Sequence, residues 1–256
     1  MIETRTRRPR PPRGPKRPAI ICEELKDWIV EHNLRPGDRL PQEKALIERF
    51  RASKGTMREA LRSLEAQGLV TTRTGPGGGI FVSALGERQA MELLANYFFF
   101  RQPSIADIYA VRCQLEPELA ASLVGHMDEA HYARLEETMR AYDHPAETVG
   151  EEYQQRMAEL DFHGALAEIS PNPVLGFMCG FLQNLLRSLT VCKRIYDRPN
   201  PELREVGLSY QMRLLAALRA GDSESVRSIM YKHMLSASRY MEACEAEMRT
   251  DFLRLK

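Results

Sequence analysis

The sequence predicts a mainly α protein: an N-terminal winged helix-turn-helix followed by an all-α antiparallel helical bundle. Three observations predict it. Residues 39–82, RLPQEKALIERFRASKGTMREALRSLEAQGLVTTRTGPGGGIFV, lay out two short helices, a tight connection and a glycine-tipped hairpin. From residue 85 onward the chain reads as helix, broken at Pro103, Asp128, Pro145, Pro171/Pro173, Pro199/Pro201 and Gly221-Asp222. Charge divides in the same place. Residues 1–83 hold 17 basic against 10 acidic side chains, a net of +7, and the remainder holds 19 against 25, a net of −6. A basic front and an acidic back point to a polyanion meeting the front alone.

The elements follow in order. Residues 1–18, MIETRTRRPRPPRGPKRP, contain five prolines and seven basic residues. Proline blocks helix and sheet, and like charges repel, so a disordered basic arm is expected. It either adds phosphate or minor-groove contacts or stays a solvated tail. Residues 19–83 form the winged part. A first helix, 19–32, carries Ile20, Ile21, Leu25, Trp28 and Ile29 at helical spacing and stops at the Pro36-Gly37 turn. A second helix, 42–49, has Leu46, Ile47 and Phe50 as its apolar face. Ser53 caps a third helix, 54–67, with a core stripe of Met57, Leu61 and Leu64 and a stop at Gly68. LVTTRT and IFVS then read as two strands joined by GPGGG.

Behind them, residues 85–248 read as helices over 85–101, 104–126, 128–142, 148–169, 172–197, 201–220 and 222–248. Short links between them imply an antiparallel bundle with one core. Pro117 marks a restart or a kink. The run Tyr97-Phe98-Phe99-Phe100 covers every side of one helical turn. It is therefore expected to be buried, against the bundle and either the winged part or a second subunit.

Composition excludes several classes. Hydrophobic content of 43% over 256 residues rules out wholesale disorder and fits one large domain or two ordinary ones. Charges break every long apolar stretch, so no membrane span is expected. The Arg/Pro-rich start is no secretory signal, which leaves the cytoplasm. Five cysteines at irregular spacing, without a CxxC, read as free buried thiols in a reducing compartment.

The residues that carry chemistry begin on the third helix. Its N-terminal turn would enter a major groove, so Lys54, Thr56 and Arg58 are the candidate contacts. Arg offers two donors to guanine O6 and N7, and Thr56 suits a thymine methyl or a phosphate. Lys44 and the backbone amides at the helix starts suit phosphates. Gly77 and Gly78 at the wing tip leave the backbone free to approach a minor groove. Charges on a helix are usually a solvated face. Here helix-turn-helix, glycine wing, basic front and separate acidic bundle coincide.

On L-x-x-W-I-V, RPGDRLPQEKAL, SKGTMREALRSLEAQGLV and GPGGGIFVS, residues 19–83 resemble the winged-helix domain of GntR-type bacterial regulators. Gln42 and Lys54 depart from the residues usual there, Ser and Arg. Residues 85–248 resemble the effector domain of the FadR/FCD subfamily, on IADIYAVRCQLEPELAASL, ELDFHGALAEISPNPVL and LLAALRAGDSESVRSIMYKHM. The resemblance implies a homodimer on a double-stranded DNA operator, controlled by a small carboxylate effector, an organic acid or sugar acid. It further implies a divalent metal, zinc or nickel, on Glu159, His163 and His233. Gln211 stands where a third histidine is usual, and an amide oxygen is a poor substitute for imidazole. Either the two histidines and the carboxylate still hold a metal, or the metal is lost and Gln211 bonds the effector, or both histidines are simply buried. Arg112, in an R-x-x-x-E motif with Glu116, is the candidate fork for the effector carboxylate, or a surface i,i+4 pair. Asn172 reads as a helix cap. Two other readings stand beside the regulator: a metal-dependent hydrolase fused to a DNA-binding domain, with Glu159, His163 and His233 activating water, and an architectural DNA-binding protein.

Overall fold

A computed structural model describes residues 16–189, 192, 194–195 and 201–252. The chain divides into two compact units, Met1–Ala90 and Met91–Lys256. Most of the expected basic arm, and the residues around Pro199, lie outside the described residues.

The first unit holds helices α1 (Arg17–Glu31), α2 (Glu43–Arg49) and α3 (Lys54–Ala66) and strands β1 (Val70–Arg73) and β2 (Gly79–Val82). Helix α1 starts two residues earlier than its pattern predicts. Pro18 causes no break, because the first turn of a helix needs no N–H from it. Ser53 caps α3 by accepting the Thr56 N–H at 3.2 Å. The strands pair antiparallel with Val70 opposite Val82. Residues 37–40 lie along the far edge of β2: Gly37 N–H donates to Val82 O at 2.9 Å and Leu40 N–H to Ile80 O at 2.8 Å. Ile21, Leu25, Leu46, Met57, Leu64, Val70 and Ile80 close the core.

The second unit is helical. After α4 (Glu87–Phe99) come α5 (Ile105–Ser122), α6 (Glu129–Arg140), α7 (Val149–Ile169), α8 (Pro173–Ser188), α9 (Pro201–Arg219) and α10 (Ser223–Phe252). Local chemistry sets the starts. Ser104 and Asp107 form a capping box on α5, Asp128 and His131 one on α6, and Asn172 accepts the Val174 and Leu175 N–H groups on α8. Pro117 neither restarts nor ends α5. Helix α10 packs along α5 and α9, and α7 along α6 and α8.

The interior is not one apolar core. One cluster gathers Leu119, Leu135, Phe162, Leu166, Leu214 and Met230; another gathers Ile105, Ile108, Tyr109, Leu160, Phe181 and Met241. Along α5, Arg112 and Glu116 fall between the two. Within this single chain the aromatic run is only partly covered. Phe98 packs on Phe181 with ring centroids 5.7 Å apart, but Phe99 is 72% and Phe100 86% exposed. An all-round apolar turn has more faces than this bundle has neighbours for it. Cys22, Cys179 and Cys192 are buried free thiols, and Cys113 and Cys244 are half-buried. Burial pushes the Cys179 and Cys192 thiols up to about 12. Among the described residues, no helix is long and apolar enough to cross a membrane.

Candidate functional site

The first candidate surface lies on α3 and the wing. Lys44, Lys54 and Arg58 are exposed and Thr56 is half-buried. The Thr56 hydroxyl lies 2.8 Å from Ser53 Oγ, so it is tied to the helix cap. Arg58 Nε donates to Glu43 Oε1 at 2.9 Å. That bond fixes the guanidinium across the gap between α2 and α3 and leaves its two terminal nitrogens as the fork that guanine recognition requires. A groove of 530 Å³ runs between α3 and the wing, with Arg39, Arg58, Arg62 and Thr72 among its lining.

The wing tip closes on itself. A Cβ on Gly78 would stand 2.6 Å from Arg73 O and 2.8 Å from Gly75 O, so this position admits no side chain. Gly77 takes a left-handed φ of 77°. Arg39 Nη2 donates to Gly78 O at 2.5 Å, and Arg39 and Arg73 both lie over the Phe81 ring. The wing thus carries two guanidinium groups beside its bare tip. Glu43, Arg39, Arg62 and Arg73 were absent from the sequence-based candidates. Glu43, Arg39 and Arg73 act through pairing across elements and Arg62 through its place in the groove, neither of which spacing shows.

The second candidate site is the polar layer of the bundle. Arg112 and Glu116, 2% and 1% exposed, form a buried ion pair with Nε 2.5 Å from Oε1. Arg112 also lies over the Tyr109 ring at 4.8 Å. The other carboxylate oxygen of Glu116 is 2.7 Å from His163 Nδ1, and His163 Nε2 is 3.2 Å from His233 Nε2. The two imidazoles stack with an interplanar angle of 14°. A chain of four buried groups therefore runs from α5 through α7 to α10. Burial alone would raise the Glu116 carboxyl, but Arg112 and His163 outweigh it and hold it down at about 2. Burial, with His163 alongside, presses His233 down to about 3, so His233 is neutral. An ionised Glu116 only accepts, so His163 Nδ1 donates to it.

Glu159 and Gln211 are engaged elsewhere. Glu159 Oε2 takes a hydrogen bond from Arg156 Nη1 at 2.8 Å. Its other oxygen lies over Gly207, 2.4 Å from where a Cβ would be. Gln211 Oε1 accepts the Tyr142 hydroxyl, while Gln211 Nε2 is buried with no partner. A cavity of 40 Å³ remains between Arg112, Glu159, His163 and His233, enough for a water and too small for an organic acid.

These donors do not fit a divalent metal. Glu159 and His163 both line that cavity from α7, but Glu159 is paired with Arg156, which it shares with Glu152. One lone pair of the Gln211 oxygen already accepts the Tyr142 hydroxyl. Among the described residues, no group of three or more His, Cys, Asp or Glu is arranged to hold an ion.

Two family models match the chain. One, described as bacterial regulatory proteins of the gntR family, covers residues 19–82, and the FCD domain covers residues 107–236. The chain belongs to the GntR family. It is 29% identical over 214 residues to the uncharacterized HTH-type transcriptional regulator YcbG of Bacillus subtilis, covering 84% of this chain and 85% of the relative. It is 26% identical over 207 residues to the HTH-type transcriptional regulator LutR of the same organism, covering 80% and 92%. It is 25% identical over 241 residues to the HTH-type transcriptional repressor NanR of Salmonella newport, covering 91% and 88%. The solved structure of a GntR protein from Streptococcus agalactiae shares the fold, with a TM-score of 0.59, 19% identity and coverage of 87% of this chain and 99% of that one. This GntR-family chain is a DNA-binding transcription regulator with an FCD domain, not an enzyme. The hydrolase reading is set aside on that ground.

Proposed function

We propose that this regulator binds a palindromic operator as a homodimer in the cytoplasm, and that a small organic acid or sugar acid in the bundle sets its affinity. The observation that carries the effector half is the buried chain Arg112–Glu116–His163–His233. Burying ionised groups costs several kcal/mol each and is a poor route to stability. A bundle that keeps such a layer between two apolar clusters is using it for something other than packing. Arg112 offers the planar fork that recognises a carboxylate. The 40 Å³ cavity is too small for such an acid, so this reading requires the bundle to open around it. An acid that enters must separate these groups, and so binds one bundle geometry better than the other. The α3 and wing surface supports the DNA half, with Lys54, Thr56 and Arg58 toward bases, and Lys44 and the Gly77-Gly78 wing tip toward the backbone. The NanR relatives, named repressors, favour repression as the sign.

Fluorescence anisotropy tests the DNA half. The full chain should bind a duplex from upstream of its own gene more tightly than a scrambled duplex, with affinity falling steeply in salt. Equal affinity for the two duplexes at every salt concentration would sink the reading.

A further inference from the structure

We propose that the bundle takes its effector without a metal ion, and that Gln211 offers the effector an amide N–H where a metal-binding chain would offer an imidazole. The inference rests on the effector-domain reading above and specifies its chemistry. Three observations carry it, each from a different group.

The first is Gln211 itself. A primary amide can ligate a metal only through oxygen, and here that oxygen accepts the Tyr142 hydroxyl. Nε2, a donor, is without a partner in a side chain 1% exposed. An unpaired buried donor costs on the order of 1–3 kcal/mol, which an acceptor oxygen on a ligand would recover. A cation would only repel it.

The second is the carboxylate. Glu159 is held by Arg156, which also pairs with Glu152 at 3.2 Å on the same helix. Gly207, one turn before Gln211 on α9, leaves the space that the second Glu159 oxygen fills. The carboxylate is thus built into an ion-pair network of its own.

The third is charge. Arg112 pairs with Glu116, and Arg156 is shared by Glu152 and Glu159, so each of these carboxylates already has a guanidinium partner. A dication added here would have to compete with those guanidinium groups for the same carboxylates. An anionic, oxygen-rich ligand brings acceptors instead, for the Arg112 guanidinium at the cavity and for the orphan amide N–H of Gln211. Hydroxy acids and sugar acids have that chemistry, with a carboxylate for an arginine fork and a carbonyl or hydroxyl oxygen for the amide.

The test uses the purified full chain without DNA, stripped with EDTA and then dialysed against Zn²⁺ or Ni²⁺. Metal per protein is read by atomic emission. Wild type should retain well under one equivalent. One equivalent retained by wild type and removed by EDTA would overturn the proposal. Gln211→His, which restores a third imidazole, should retain more metal than wild type if it melts cooperatively. In a second arm, melting temperatures are compared with lactate, malate, citrate and gluconate, in EDTA and in Zn²⁺. An acid that raises the wild-type melting temperature equally in both buffers, and fails to do so in Gln211→Leu, supports the proposal. An acid that stabilises only with Zn²⁺ overturns it. Neither arm reads operator binding, so this proposal and the regulator reading can fail separately.

Discussion

Replacing Glu116 with Gln probes the polar layer most sharply. The change keeps the side-chain shape and an acceptor oxygen for Arg112, and removes the negative charge that Arg112 and His163 share. Arg112 is 2% exposed, so its cation cannot turn to water. Removing one partner of a buried ion pair costs about 3–5 kcal/mol, because the other charge is left uncompensated. For a unit of this size each kcal/mol is worth roughly 2–4 °C, so the melting temperature should fall by about 6–20 °C. Urea unfolding of the full chain at pH 7, followed by circular dichroism of its dominant helical signal, reads the loss directly. The double variant Arg112→Met/Glu116→Leu should recover most of the stability, since apolar replacement of a whole pair is often neutral. A single-variant loss below about 1 kcal/mol, the value of an exposed pair, would refute the argument that this layer is a true buried charge network.

Three further outcomes follow. Arg58→Ala should weaken specific operator binding by about 1–3 kcal/mol in anisotropy titrations while leaving the melting curve of the bundle unchanged; an unchanged affinity would remove Arg58 from the interface. Gly78→Ala forces a Cβ within 2.6 Å of backbone oxygen, so the wing must rearrange and operator affinity should fall, and an unaltered affinity would mean the wing tip does not touch DNA. Stability should decline in acid in two stages. His233 titrates near 6.5 when unfolded and about 3 when folded, so the unfolded state binds the extra proton and stability is lost as pH drops from 6.5 toward 3. Glu116, ordinarily near 4.5 and folded near 2, adds a second loss from 4.5 downward. His233→Gln should flatten the first stage, and a wild-type profile flat from pH 7 to 4 would contradict both assignments.

The winged unit was legible because its signals are local. Ser53 caps α3 three residues from the amide it satisfies, and Gly68 and the GPGGG run mark stops within a turn of where they act. What was missed there is non-local: beyond the Pro36-Gly37 turn, residues 37–40 line the edge of β2 through a bond from Leu40 to Ile80. The aromatic run shows the same limit. Four consecutive rings state that a turn is apolar all round, and only the neighbours decide which ring is covered; here Phe98 is. In the bundle, i,i+4 spacing put Glu159 and His163 on one face, but spacing does not rank partners, and Arg156 from the same helix takes the carboxylate. Arg112 was read as either a carboxylate fork in the core or a surface pair with Glu116. The pair exists and is buried, and what makes it part of a site is the bond from Glu116 to His163, 47 positions away. Tyr142 and Gln211 meet across 69 positions, and no pattern in a single sequence announces that.

The central claim is that the bundle decides when the winged unit holds DNA. The most direct test is an operator titration with the full chain, with and without an acid shown by melting-temperature shift to bind it. The account predicts a changed operator dissociation constant, by a factor of about 5–150 for a coupling of 1–3 kcal/mol, and an equal change in acid affinity when operator is present. An acid that saturates the bundle and leaves the operator constant unchanged would contradict it.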